Sequence, residues 1–415
     1  MKILVLNSGS SSQKACLYEI AESLPDRAPN PLWEAKVEFS PDSAAVTVRN
    51  YQGLKEKEKI DTPSREDALR YLLNTLCDGK VHVLASPSEI DVVGHRVVHG
   101  GPHFESPVVI TAEVRSAIAN TATLAPLHIR AEVEGMDLVR ATLGTIPQVA
   151  VFDTGFHAQM PTVAAMYPGP YQWFENGIRR YGFHGINHQY CAGRAAQLLN
   201  KDLASLKIVT CHLGNGCSLA AIQGGRSIDT TMGFTPLEGL MMGTRSGSVD
   251  PGILIYLMRQ THLDPERVDK ILNQESGLLG ISGVSGDMRD ILASIQDHPR
   301  SKLAFDIYVH RLRKAIGSMA AVMGGMDVLV FTAGVGENSP EVRAATCTGL
   351  DFLGIKLDRE RNSQPRLDTD VANTGSSVRI LVIRAQEDWA IARECWKLRD
   401  ELSVEKHRAP QPLKN

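Results

Sequence analysis

The sequence predicts an α/β protein in two domains, on three observations. Apolar strand-like runs alternate with helical runs through both halves of the chain, the pattern of sheets flanked by helices. The chain has 415 residues, beyond the size at which a single core keeps growing, so two domains are the expected division. Two stretches, Ile3–Ile20 and Ile208–Ile222, share one design: an apolar strand, a tight polar turn and a second strand. A duplicated hairpin of this kind predicts two related half-molecules facing each other across a nucleotide.

Taken in order, the first half carries predicted strands at 2–7, 13–20, 33–39, 44–50 and 90–99, with helical patterns at 64–77 and 130–143. The mixed-charge run Lys55–Lys59 reads as a solvated loop or hairpin tip. Pro147 precedes a buried-looking strand, Val149–Phe152, which ends in Asp153-Thr154-Gly155 and marks the domain boundary. The second half has strands near 207–213, 217–223, 226–231 and 327–332, then Val378–Ile383. Its helices lie near 251–261, 264–274 and 300–322, with a final helix from about 388. The last residues, 403–415, read as a loose tail.

Bulk properties exclude several classes. The formal net charge is −3, and no block of like charges forms a nucleic-acid arm. The seven cysteines are an odd number without a C-x-x-C pair, which suits a reducing cytosol and argues against a disulfide framework or a zinc knuckle. The apolar run before Asn7 is too short for a signal peptide. The least polar segment, Ala315–Met326, falls short of the ~20 residues that span a bilayer. A cytoplasmic protein with no membrane and no nucleic-acid partner is expected.

The two hairpin turns carry the first functional signal. Asn7-Ser8-Gly9-Ser10-Ser11-Ser12 and Gly214-Asn215-Gly216 are rich in glycine, hydroxyls and backbone N–H groups, the makings of concave anion sites. Gly334-Val335-Gly336-Glu337-Asn338 is read as a third such turn, after a buried strand and before a helix near Pro340, where α/β sheets bind ligands. Neither G-x-x-x-x-G-K-[ST] nor a strand-borne G-x-G-x-x-G is present, so the turns must hold any ATP phosphates. Arg96 sits inside an apolar strand, where an arginine needs an anionic partner; an anionic ligand, carboxylate or phosphate, and a structural ion pair are the two readings. His95, His99 and His103 recur every four residues, but Gly100-Gly101-Pro102 and the valines exclude a helix, and with it a metal site. Arg245 between glycines, Asp153 at a strand end and His184 between glycines complete the candidates.

These strings together resemble the acetate kinase family: NSGSSSQK, GHRVVHGG, APLH, VFDTGFH, YGFHG, HLGNGCS, SGVSGDMRD and FTAGVGEN, with the long run SIDTTMGFTPLEGLMMGTRSG at Ser227–Gly247 the most specific. The resemblance spans nearly the whole chain. It implies the actin, hexokinase and Hsp70 ATPase superfamily, with two ribonuclease-H-like domains and an interdomain nucleotide cleft. Residues 1–152 would form the N-terminal domain, completed by the helix 388–402, and 153–387 the C-terminal one. The implied activity is reversible transfer of the ATP γ-phosphoryl group to acetate, giving acetyl phosphate and ADP, by a homodimer.

Residue by residue, the resemblance implies that Asn7 and Glu387 hold Mg²⁺ (or Mn²⁺), and that Lys14, with Ser10 and Ser12, reaches the nucleotide phosphates. Arg96 would bind the substrate carboxylate. Asp153, His184 and Arg245 match the catalytic set, with Asp153 expected to orient the metal or its water. Val98, Leu127, Phe183 and Pro236 match the small apolar pocket for the acyl methyl group. His212, Leu213, Gly214, Asn215 and Gly216, then Asp287, Met288 and Arg289, then Gly334, Val335, Gly336, Glu337 and Asn338, match the nucleotide-binding segments. The chain departs from the family pattern at Ala385-Gln386-Glu387-Asp388, Ile129 and Ser248. A propionate kinase of the same family and a non-transferring ATPase switch are the alternatives; Val98 favours acetate over the first, and Arg96, His184 and Arg245 argue against the second.

Overall fold

The chain opens with the apolar run Ile3–Leu6, which builds the centre of a sheet. A computed structural model describes residues 1–8, 12–40, 42–61, 64–364 and 367–402, apart from the side chains of Thr123, Pro126 and Leu127. Ser10 and the tail 403–415 therefore lie outside the described residues, as does the side chain of Leu127. The chain divides into two compact units: Met1–Gly155 with the C-terminal segment from Gln386, and Phe156–Ala385.

In the first unit, strands β1 (Lys2–Ser8), β2 (Ser12–Glu19), β3 (Trp33–Ser40), β4 (Ser43–Asn50), β5 (Lys55–Ile60), β6 (Val92–Val97), β7 (Val108–Val109) and β8 (Gln148–Phe152) form one sheet in the order β5-β4-β3-β2-β1-β6-β8-β7. β1 to β5 pair antiparallel, while β1, β6 and β8 run parallel. Helices Arg65–Asn74 and Pro126–Leu143 supply apolar residues to the same core as β1–β4, among them Leu69, Leu72, Leu73, Leu138 and Val139 around Trp33. Ser64 caps the first of these helices by accepting from Asp67 N–H. Glu387–Lys397 packs on β1 and β6. A Cβ at Gly94 on β6 would lie 2.6 Å from Cys395 Sγ and 2.8 Å from Ile391 Cγ2, so only glycine permits this approach.

In the second unit, β9 (Lys207–Leu213), β10 (Cys217–Gln223), β11 (Arg226–Thr230), β12 (Val328–Thr332), β13 (Thr369–Asp370) and β14 (Arg379–Val382) are ordered β11-β10-β9-β12-β14-β13. β9, β10 and β11 pair antiparallel; β9, β12 and β14 run parallel. This repeats the order and polarity of β3-β2-β1-β6-β8. The duplicated hairpins are thus β1–β2 and β9–β10, each opening a sheet of the same topology.

Two expectations are corrected. Lys55–Lys59 is not a loop: it belongs to β5, the edge strand paired with β4. Alternating lysine and glutamate suits an edge, where charge discourages further strand pairing. Gly334–Asn338 is not an open turn but the body of a helix, Ala333–Asn338, that starts directly at the end of β12. Ala333 takes a left-handed φ of 64° to make that bend. No helix among the described residues is long and apolar enough to cross a membrane.

Candidate functional site

In the first unit the site residues gather at the ends of β1, β6 and β8. Asn7 pairs in register with Lys14 across the β1–β2 hairpin. Its Nδ2 donates to Glu387 Oε2 (3.2 Å) and to Asp388 Oδ1 (3.0 Å) at the start of the C-terminal helix. Burial raises the Asp388 carboxyl above the usual range, against the pull of Lys14 and Asn7. Two carboxylates and one amide at this spacing are a small set of oxygen donors. Such a set suits Mg²⁺, which keeps waters and substrate phosphates for its other positions.

Arg96 extends from β6. Its Nη2 donates to Asp153 Oδ2 at 2.6 Å, and Nη1 to the Ser8 carbonyl at 3.3 Å. Asp153, just past β8, is only 1% exposed. Burial alone would lower the Arg96 guanidinium, but Asp153, Glu387 and Glu132 outweigh it and hold the charge firmly. Arg96 Nε has no partner among the described residues. The arginine is thus ion-paired in this structure, through Nη2 rather than Nε.

Glu132, which sequence reasoning missed, sits on helix Pro126–Leu143 and is 2% exposed. Both its oxygens accept from Val98 N–H, at 3.1 and 3.2 Å, fixing the backbone where β6 ends. Burial lifts its carboxyl to a pKa of about 8, held back by Arg96 and Val98 N–H and raised further by Asp153. No sequence pattern flags it, because one acidic residue on a helix reads as solvated.

The second unit brings three distant segments around one cavity of about 490 Å³. Gly214 and Asn215 come from the β9–β10 turn, Asp287, Met288 and Arg289 from the start of a helix, and Gly334, Val335 and Asn338 from helix Ala333–Asn338. The turn is closed by Gly214 N–H to Gly216 O (3.0 Å) and tied to Gly243 N–H through Asn215 O (3.1 Å). Not every expected residue faces this cavity. Leu213 is core, and Gly336 packs beneath, against β9 and β12. Glu337 turns away to accept from Ala385 N–H at 2.8 Å.

Beside the turn, His184 takes a left-handed φ of 59° as the cap of helix Gly185–Leu199. Its ring stacks on His212, with centroids 3.9 Å apart and planes 9° from parallel. A Cβ built on Gly216 would lie 3.5 Å from both His184 Nε2 and Arg245 Nη1, so His184 and Arg245 flank the same glycine. Arg245 Nη1 also donates to the Pro236 carbonyl (2.9 Å). The expected acyl pocket is divided between the units: Val98 and Leu127 in the first, Phe183 and Pro236 in the second. His188 was missed; it lies within helix Gly185–Leu199, four residues after the His184 that caps it.

Comparison with known proteins follows from this geometry. The chain matches the model of the Acetokinase family over residues 2–393. It is 59% identical over 402 residues to the acetate kinase of Trichormus variabilis, covering 96% of this chain and 99% of that protein. It is 58% identical, with the same coverage, to the acetate kinase of Nostoc sp.. Among solved structures it is similar to the acetate kinase of Porphyromonas gingivalis (TM-score 0.87, 40% identity, 96% of this chain and 99% of that one). It is also similar to a propionate kinase of Francisella tularensis (TM-score 0.86, 37% identity, 95% and 98%).

Proposed function

The chain belongs to the acetokinase family, and from that premise we propose that it transfers the γ-phosphoryl group of ATP reversibly to acetate, giving acetyl phosphate and ADP. One observation supports this reading above the rest: three segments far apart in sequence line a single cavity beside Arg245 and His184, while Arg96 waits on a strand end of the other unit. Relatives that are 58–59% identical carry the name acetate kinase, so acetate is preferred to propionate as the acceptor.

A carboxylate is already a nucleophile at neutral pH, so no base is needed to deprotonate it. One acetate oxygen attacks the γ-phosphorus, the bond to the bridging oxygen breaks, and that oxygen leaves with ADP. The difficulty lies in bringing two anions together and in stabilising charge on the transferring group. Arg96 supplies the cation for the acceptor carboxylate, and Asp153, bonded to Arg96, holds the guanidinium in place rather than taking a proton. Val98 forms part of the wall for the methyl group. Arg245 and His184 offer donors to the equatorial phosphoryl oxygens. Gly214 and Asn215, Asp287 to Arg289, and Gly334, Val335 and Asn338 hold the nucleotide in the cavity they line. Asn7, Glu387 and Asp388 would hold Mg²⁺, which when bound with ATP neutralises charge on its β- and γ-phosphates. The family reading carries with it a homodimer working in the cytoplasm.

The test is hydroxamate formation from ATP, Mg²⁺ and acetate, propionate or butyrate in turn. The highest kcat/KM is expected for acetate, by a factor within the ~10–200 that one methylene commands. A propionate preference would move the substrate and keep the mechanism; hydroxamate from none of the acids would overturn the proposal.

A further inference from the structure

Behind His184 and His212, the second unit holds buried polar groups that the transfer reading leaves without a role, His157 and His188 among them. The four histidines lie together, with His188 centred 5.6 Å from His157, 6.4 Å from His184 and 6.3 Å from His212. His188, Thr210 and Ser218 are wholly buried. His188 Nδ1 is 2.7 Å from Thr210 Oγ1, its Nε2 is 2.8 Å from Ser218 Oγ, and the same Ser218 Oγ is 2.8 Å from His184 Nδ1. Thr210, His188, Ser218 and His184 are thus joined in turn by hydrogen bonds. Burial keeps His188 neutral, with one N–H and one lone pair, and a serine hydroxyl has one proton. With a neutral His184 the chain has two proton arrangements, which leave His184 Nε2 either protonated or bare.

We propose that Thr210, His188 and Ser218 are positioning residues that hold His184 as the neutral tautomer with its proton on Nε2, and that Asn187 does the same for His212. Thr210 donates to His188 Nδ1, His188 Nε2–H donates to Ser218, and Ser218 donates to His184 Nδ1. His212 reaches the same tautomer through a separate contact. Its Nδ1 lies 2.9 Å from Asn187 Nδ2, and an amide nitrogen only donates. In the same orientation Asn187 Oδ1 accepts from Cys191 Sγ at 3.6 Å. His212 Nδ1 therefore accepts, and the proton of a neutral His212 sits on Nε2. Both Nε2 atoms face the β9–β10 turn: His212 Nε2 is 3.8 Å from a Cβ built on Gly214, and His184 Nε2 is 3.5 Å from one built on Gly216. Two stacked, parallel imidazoles then present two N–H donors to the segment read as the phosphate turn. The opposite arrangement would aim a lone pair from His184 at an anion. The inference rests on the phosphoryl-transfer reading for its purpose, and holding a catalytic imidazole in the right tautomer is a known source of rate.

The test combines long-range ¹H–¹⁵N spectra of the ¹⁵N-histidine-labelled protein with kinetics of Ser218→Ala, Ser218→Thr and Thr210→Val. Wild type is expected to show His184 and His212 as Nε2–H tautomers, and Ser218→Ala to show a mixture at His184. Ser218→Ala should lower kcat by about 10–100-fold with KM for acetate and ATP within twofold, Ser218→Thr should restore most of it, and Thr210→Val should lower it less. A wild-type His184 with its proton on Nδ1, or an unchanged kcat in Ser218→Ala, overturns the inference. If wild type yields no acyl phosphate, the transfer reading fails on its own, and the spectra still decide the tautomer.

Discussion

Replacing Glu132 by glutamine tests the electrostatics around Arg96 through stability alone. Glu132 is 2% exposed and its two oxygens accept from Val98 N–H. Burial raises its pKa from 4.5 to about 8, so the fold holds its proton more tightly than the unfolded chain does. Below pH 4.5 both states are protonated and nothing is lost. Between pH 4.5 and about 8 the unfolded chain releases its proton while the fold retains it, so stability falls as pH rises; above about 8 the whole deficit is present. At about 1.4 kcal/mol per pKa unit, that gap is worth at most about 5 kcal/mol. Glu132→Gln keeps an oxygen for Val98 N–H and cannot ionise. The variant should therefore melt close to wild type at pH 5 and about 10 °C above it at pH 9, taking ~2–4 °C per kcal/mol for a unit of this size. Intrinsic fluorescence is the assay, because Trp33 and Trp389 are both fully buried in the first unit. An advantage of equal size at pH 5 and pH 9 would refute the reasoning.

Other substitutions separate the roles of the site. Arg96→Ala should raise KM for acetate far more than it lowers kcat, whereas Arg245→Ala should chiefly lower kcat; steady-state kinetics with each substrate varied distinguishes them. Asp153→Ala leaves the Arg96 charge buried without its partner, a loss of about 3–5 kcal/mol, and should depress Tm well below that of Asp153→Asn. Full activity in Asp153→Ala would show that Arg96 needs no carboxylate to hold it. At Gly243 an added Cβ would lie 2.2 Å from Asn215 Oδ1 and 2.8 Å from the Gly286 carbonyl. Gly243→Ala should therefore push Asn215 and Gly286, which both line the 490 Å³ cavity, away from their places. It should raise KM for ATP about tenfold, with KM for acetate little changed.

The sequence made the repeated strands legible because Ile3–Leu6 and Ile208–Cys211 are apolar runs bounded by turn residues, signals that need no tertiary context. Asn7, Arg96 and Gly214 stood out because a polar or flexible residue ends or interrupts an apolar run, His184 and Arg245 because each lies between glycines. What remained hidden acts through partners distant in sequence. Glu132 matters only because Val98 N–H lies above it, and Ser218 only because two histidines converge on its hydroxyl. Helix Gly185–Leu199 escaped notice for a related reason: Asn187, His188 and Arg194 are buried along with its alanines, so no polar face marks the period. Lys55–Lys59 was misread because composition alone does not separate a charged loop from a charged sheet edge, and β4 supplies the difference.

The most direct test of phosphoryl transfer to a carboxylate is a ³¹P NMR time course of the protein with ATP, Mg²⁺ and acetate. Direct transfer predicts an acetyl phosphate resonance growing in step with ADP, without matching inorganic phosphate, and no such resonance with Arg245→Ala over the same interval. ATP consumed to ADP and inorganic phosphate alone, with acetate untouched, would contradict it and return the chain to the class of nucleotide-driven switches.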